Sequence, residues 1–175
     1  MLILPMKLLT PIIALSLIGG TTAYAASPNT LPTSPLYPLK RAWEDLTLTF
    51  ALTPTAKAQV LINQANTMLN EAKALAPQAA TNPSIKNTVA STVNDSQTTL
   101  NQALNQAKQI SDPTKASEIK QEISGQAEQE KQAIETNVEP QAKLEGGDSQ
   151  AVQKSVDGLN QTSTDATSSG TKSGD

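Results

Sequence analysis

Large apolar residues recur at helical spacing beyond residue 35. Leu36, Leu39, Trp43, Leu46 and Phe50 are separated by 3, 4, 3 and 4 positions, which places them on one face of a helix from about Pro38 to Leu52. Leu48 and Leu52 widen that stripe. A second pattern follows Thr53-Pro54, where Leu61, Ala65, Met68, Ala72 and Leu75 are spaced 4, 3, 4 and 3, with Val60, Ile62 and Leu69 broadening the face. The connection between the two segments is short, which predicts antiparallel neighbours, an αα-hairpin. Asn82-Pro83 opens a third segment carrying Ile85, Val89, Val93, Leu100, Leu104, Ala107 and Ile110. Asp112-Pro113 opens a fourth carrying Ala116, Ile119, Ile123, Ala127, Ala133, Ile134 and Val138. At these starts a Thr, Asn or Asp caps the helix, and the proline stands where a missing N–H costs nothing.

Proline and glycine punctuate the pattern. Prolines 38, 54, 77, 83, 113 and 140 divide the chain into helical segments. A single glycine, Gly125, lies between Ala26 and Glu145, whereas Gly146, Gly147, Gly158, Gly170 and Gly174 follow. That shift predicts the end of the folded part. Residues 146–175 are rich in Ser, Thr, Gly, Asp, Lys and Gln, and read as a disordered low-complexity tail in which Val152, Val156 and Leu159 form at most a transient turn of helix. The predicted architecture is all-α: an N-terminal αα-hairpin, two longer polar helices in a bundle or an elongated coiled-coil-like packing, and the tail. The folded domain is read as residues 36–145.

The beginning of the chain has a different character. Lys7 precedes an apolar run from Leu8 to Gly20, and Ala23-Tyr24-Ala25 supplies small residues at both positions a signal peptidase reads. The run is 13 residues long, short of the ~20 that cross a bilayer. A signal peptide over residues 1–25, cleaved after Ala25, is therefore expected, with translation starting at Met1 or Met6 and a Ser/Thr/Pro-rich lead-in over residues 26–35. The expected product is exported, periplasmic or secreted, with no membrane insertion of the mature chain.

Composition narrows the chemistry. Without Lys7 the chain carries 12 basic residues against 16 acidic, a balance that argues against a nucleic-acid partner. It contains no cysteine and no histidine. Disulfides, the usual zinc, haem and iron–sulfur ligands, and Ser-His-Asp or Cys-His catalysis are thereby removed. Neither cofactor nor metal is expected. Carboxylate pairs are the remaining catalytic candidates, since glycoside hydrolysis needs two acids. Glu44-Asp45, Glu118-Glu122 and Glu128-Glu130 lie on polar helices and read instead as solvated faces.

Beyond residue 25, Tyr37, Trp43 and Phe50 are the only aromatic residues. They mark the first helix as the wedge around which the others pack, with Trp43, Leu46 and Phe50 as core anchors. Truncating Trp43 or Phe50 would then cost ~3–5 kcal/mol. Leu36, Tyr37, Pro38, Leu39, Lys40 and Arg41 form either a recognition surface, an aromatic beside two cations, or a stapled helix start. The helix start is the favoured reading.

The string from Ser34 to Glu44, Ser-Pro-Leu-Tyr-Pro-Leu-Lys-Arg-Ala-Trp-Glu, resembles the opening of a family of exported bacterial helical domains of unknown function. Members follow it with a helix bearing an Ala-Glu-x-Arg-Leu-x-Glu stretch. Here Ala65 to Glu71 keeps Ala, Leu and Glu, with Asn66 and Met68 in place of an acid and a base, and Thr33 stands where the family has glycine. The resemblance covers about Pro32 to Leu75. It implies an extracytoplasmic helical domain and transfers no activity. Some similar domains sit on the outer side of membrane-bound anti-sigma regulators. The function expected is a non-catalytic interaction or structural module of the bacterial envelope, whose partner is another envelope protein or a second copy of itself. The alternatives are a soluble ligand- or stress-sensing domain touching a membrane-bound regulator, and, more distantly, a carboxylate-dependent hydrolase of envelope polymers.

Overall fold

The computed structural model describes residues 30–168, and these are helical throughout apart from turns and short connections. The expected signal peptide and the first part of the lead-in, like residues 169–175, lie outside the described residues. In order come α1 (Tyr37–Phe50), α2 (Pro54–Ala79), α3 (Pro83–Ala107), α4 (Pro113–Ala133), a π-helical turn (Ile134–Val138), α5 (Glu139–Ala142) and α6 (Gly146–Ser168). The predicted starts of α2, α3 and α4 are present with their caps. Thr53 Oγ1 accepts from the Ala56 N–H at 3.1 Å, Asn82 Oδ1 from Ser84 at 3.1 Å, and Asp112 Oδ1 from Thr114 and Lys115 at 2.9 and 3.1 Å.

Helices α2, α3, α4 and α6 make a four-helix bundle. The most extensive interface is between α2 and α3, followed by α4 with α6 and α3 with α6. Their seams are heptad-like. On α2, alanines at 58, 65, 72 and 79 are fully buried and repeat every seven residues, with Leu61, Met68 and Leu75 between them. Side chains this small let the helix axes approach closely, and Leu100, Leu104, Ile123, Ile134 and Leu159 fill the remaining core.

Pro140 stands in the first turn of α5, directly after the π-helical turn that follows α4. Its ring cannot accept the carbonyl four residues back, and it donates no N–H. The chain answers with the π turn, in which the Glu139 N–H bonds the Ile134 carbonyl. Pro77, expected to divide two segments, lies instead in the last turn of α2 on its exposed side. There its lost hydrogen bond is near the helix end and breaks little.

The largest correction concerns the C-terminal segment. Gly146 does not end the folded part. It takes a left-handed φ of +58°, three residues after Lys143 at +49°, and the two turn the chain back along the bundle. Lys86 Nζ donates to the Lys143 carbonyl at 2.7 Å across this turn. Residues 146–168 then form α6, burying Val152, Val156, Leu159 and Ala166 together with Ser155, Thr162 and Ser163. A composition-based reading of this stretch counts the hydroxyl residues as solvated. In a helix their cost of burial is small, because Ser155 and Thr162 bond the carbonyls of Ala151 and Gly158 at 3.1 and 2.9 Å, and Ser163 meets Ser124 of α4 at 2.9 Å. Gly158 faces α3 closely: an added Cβ would stand 2.6 Å from the Gln97 amide.

The first helix is the second correction. It is not the wedge of the fold. The bundle closes without it, and α1 lies along the outside of α2. Trp43, Leu46 and Phe50 are 42, 43 and 72 % exposed and anchor no core.

Replacement of Leu159 by Ala is expected to destabilise the protein by about 2–5 kcal/mol in urea titrations followed by far-UV circular dichroism. A change below ~0.5 kcal/mol, the range of an exposed site, would show that residues 146–168 are not part of the bundle.

Candidate functional site

Helix α1 is amphipathic, and it is mounted with its polar side inward. The residues turned to the bundle are Tyr37, Lys40, Arg41, Glu44 and Leu48; those turned to solvent are Leu36, Leu39, Trp43, Leu46 and Phe50, continued by Leu52. The sequence spacing defines the stripe correctly but carries no information about its direction. The direction follows from what α2 and α3 present beneath α1, namely the carboxylates of Glu71 and Asp95.

Lys40 and Glu71 form an ion pair with both side chains at most 5 % exposed. The Tyr37 hydroxyl donates to the other Glu71 oxygen at 2.9 Å, and Lys40 Nζ also donates to the Thr30 carbonyl at 3.4 Å. Glu71 is thus bonded through both oxygens, which is what a carboxylate needs if it is to stay buried. Burial first, and then the charge of Glu71, hold the Tyr37 phenol above its ordinary range, so it remains a donor. One turn further along, Arg41 bonds Glu44 at 3.1 Å and reaches Asp95 of α3 at 3.8 Å. Burial raises the Glu44 carboxyl, against the pull of Arg41 and Lys40. Lys40 and Arg41 also lie 5.9 and 5.8 Å from the centre of the Tyr37 ring. Open grooves of about 300 and 450 Å³, lined by residues that include Arg41, Asp95, Gln102, Asn105 and Gln106, run between α1 and α3.

The six-residue motif therefore divides by function. Leu36 and Leu39 are about half exposed, Tyr37, Lys40 and Arg41 hold the helix down, and Pro38 sits at the helix start. Neither sequence reading describes this in full. The Tyr37–Arg41 side holds the helix start by polar bonds rather than an apolar staple. Glu71 is the partner that sequence reasoning missed. It is the Glu that ends the Ala65–Glu71 stretch, but it stands 31 positions from Lys40, too far for helical spacing to connect the two.

A second buried acid lies inside the bundle. Glu130 occupies a seam position of α4 and is fully buried. Gln126 Nε2 donates to its Oε1 at 3.3 Å, while Ser96 Oγ lies 3.0 Å from its Oε2 and 2.8 Å from the Ala65 carbonyl oxygen. The serine has one proton for two acceptors. All groups are satisfied if Ser96 donates to Ala65 and a protonated Glu130 donates to Ser96. Burial pushes Glu130 up to about 7, with the Gln126 and Ser96 bonds opposing. Two of the carboxylate pairs suggested by sequence are split between faces, Glu44 turning in and Asp45 out, Glu130 buried and Glu128 exposed, while Glu118 and Glu122 share one solvent-exposed face of α4. Adjacent and next-but-one residues of a helix do not share a face.

Two outcomes follow. Lys40→Met leaves Glu71 buried and unpaired and is expected to cost about 3–5 kcal/mol, while Lys40→Met with Glu71→Met recovers most of the loss in the same urea titration; equal losses in both would refute the pairing. Glu130, with a folded value of about 7 against an ordinary 4.5, holds its proton more tightly when folded. Its stabilising contribution is complete below pH ~4.5 and is lost as pH rises through ~7, by about 3 kcal/mol in all. Glu130→Gln, which reproduces the protonated pattern, should raise the thermal midpoint at pH 8 and leave it nearly unchanged at pH 4. A fall at both values would show that the charged form is the native one.

Among the described residues no helix is long and apolar enough to cross a membrane. Neither curated proteins nor solved structures give a match to the chain. The sequence profile of a family described as Domain of unknown function (DUF5667) matches residues 29–158. That span contains both halves of the anchor, Tyr37–Arg41 and Glu71, and it continues past residue 145 into α6. The chain belongs to this family.

Proposed function

We propose that this is an extracytoplasmic, non-catalytic interaction module of the bacterial envelope, in which the four-helix bundle is the scaffold and α1 the docking element. One observation carries the reading: α1 directs its charged side chains into the protein and its large apolar residues outward. A fold gains nothing in stability from an exposed Trp43, Phe50 or Leu52, and a contiguous apolar patch rimmed by polar residues is the usual mark of an interaction face. The buried Lys40–Glu71 pair supports the same reading, since it fixes the orientation of the helix at the expense of a simpler apolar contact. The extracytoplasmic setting rests on the Lys7, Leu8–Gly20 and Ala23–Ala25 pattern.

A second reading, a stress-sensing domain that touches a membrane-bound regulator, is favoured by Glu130, an acid buried in the bundle seam against Ser96 and Gln126, whose burial pushes its carboxyl up to about 7.

A photo-crosslinking residue placed at Phe50, in cells that export the chain, is expected to give discrete protein adducts, and the same residue at the exposed Gln141 is expected to give none. Failure of the Phe50 position to form any adduct would remove α1 as a docking element.

A further inference from the structure

The stripe on α1 has the properties of one half of a symmetric helix pair. Leu36, Leu39, Trp43, Leu46 and Phe50 occupy two positions in every seven over two heptads. That is the narrow seam of a two-helix contact rather than the wider face a helix lays on a globular core or a bilayer. With Leu52, these residues are between 42 and 88 % exposed. Given side-chain areas on the order of 150–250 Å² for the aromatics and somewhat less for leucine, they leave roughly 600 Å² of apolar surface per chain. Two such stripes supply about 1,200 Å², the lower bound of a standard stable interface.

Charge selects among occupants. Among the described residues of α1, Lys40, Arg41 and Glu44 are engaged on the inner side, and Asp45 is the charged residue that is exposed. Ala42 and Thr49 border the stripe and are small and neutral. The face offers no exposed cation to an acidic partner or an anionic lipid surface, and it holds too little charge to repel a copy of itself. From Leu39 to Phe50 the spacing of 4, 3 and 4 reads the same in both directions about the point between Glu44 and Asp45. An antiparallel pair can therefore set Leu39 against Phe50 of the second copy and Trp43 against its Leu46, bulky against smaller, with Leu36 and Leu52 at the two ends of the seam.

We propose that the occupant of the α1 stripe is a second copy of this chain, the two α1 helices packing antiparallel about a two-fold axis. The proposal rests on the reading of α1 as a docking element and names its partner. An interface at the lower end of the size range belongs with weak, transient associations, so the assembly is sensitive to local concentration.

The test is sedimentation velocity on the full chain as processed by its host, over a wide concentration range. A dimer whose fraction rises with concentration is expected. Leu39→Asp with Phe50→Asp should raise the dissociation constant at least about 100-fold and leave helicity unchanged, as well as the thermal midpoint at concentrations where the wild type is monomeric, because both sites are exposed in the single chain. A wild-type chain that stays monomeric overturns the proposal, as does a dimer that survives the double substitution. If the monomeric chain sediments with phosphatidylcholine vesicles, and the double substitution abolishes this, the stripe is a lipid-facing surface instead. If the wild type is monomeric while Phe50 crosslinks to a different protein, the docking reading stands and self-pairing fails; with neither dimer nor adduct, both fail.

Discussion

Much of what distinguishes this domain depends on one buried ion pair. Lys40 and Glu71 are taken out of water together, at a desolvation cost that a pair of methionines would avoid. That cost secures orientation. An apolar contact between α1 and α2 could form with the leucine stripe facing in, and α1 would then be an ordinary core helix. With Glu71 fixed on α2 and Tyr37 saturating its second oxygen, the low-cost solution is the one in which Lys40 faces the bundle, so Trp43 and Phe50 face away. The pair acts as a register pin, and the exposed stripe is its consequence.

The elements of the fold were legible in the sequence wherever a chemical signal was local. Thr53-Pro54, Asn82-Pro83 and Asp112-Pro113 each combine a capping side chain with a proline, and each begins a helix. The spacing on α2 and α3 identified the seam residues, because a heptad of alanines and leucines has one way to be buried. Direction was not legible for α1. Periodicity specifies which residues share a face, and the neighbour decides which face goes inside. The neighbour here is a carboxylate 31 positions away in sequence, whose role no local pattern announces.

The C-terminal helix shows the opposite limit. Its seam continues at three- and four-residue intervals through Val152, Val156, Leu159, Ser163 and Ala166, yet three glycines and many hydroxyl residues made it look unable to fold. Ser and Thr are polar by composition and nearly neutral by burial once a helical carbonyl accepts their proton. The same logic operates at Ser96 and Glu130. A core built from alanine and small hydroxyl residues is narrow enough that polar atoms from α2, α3 and α4 come within hydrogen-bond distance of one another, and a glutamate can substitute for an aliphatic residue in the seam.

The placement of the aromatic side chains has an optical consequence. Tyr37, Trp43 and Phe50 all sit on α1, so the four-helix core is transparent in the near ultraviolet. Indole emission, near-ultraviolet dichroism and aromatic proton shifts report the helix on the outside and stay silent about the packing of the bundle. A change in those signals signifies that the surroundings of α1 have altered, while the scaffold beneath it is followed only through its amide backbone.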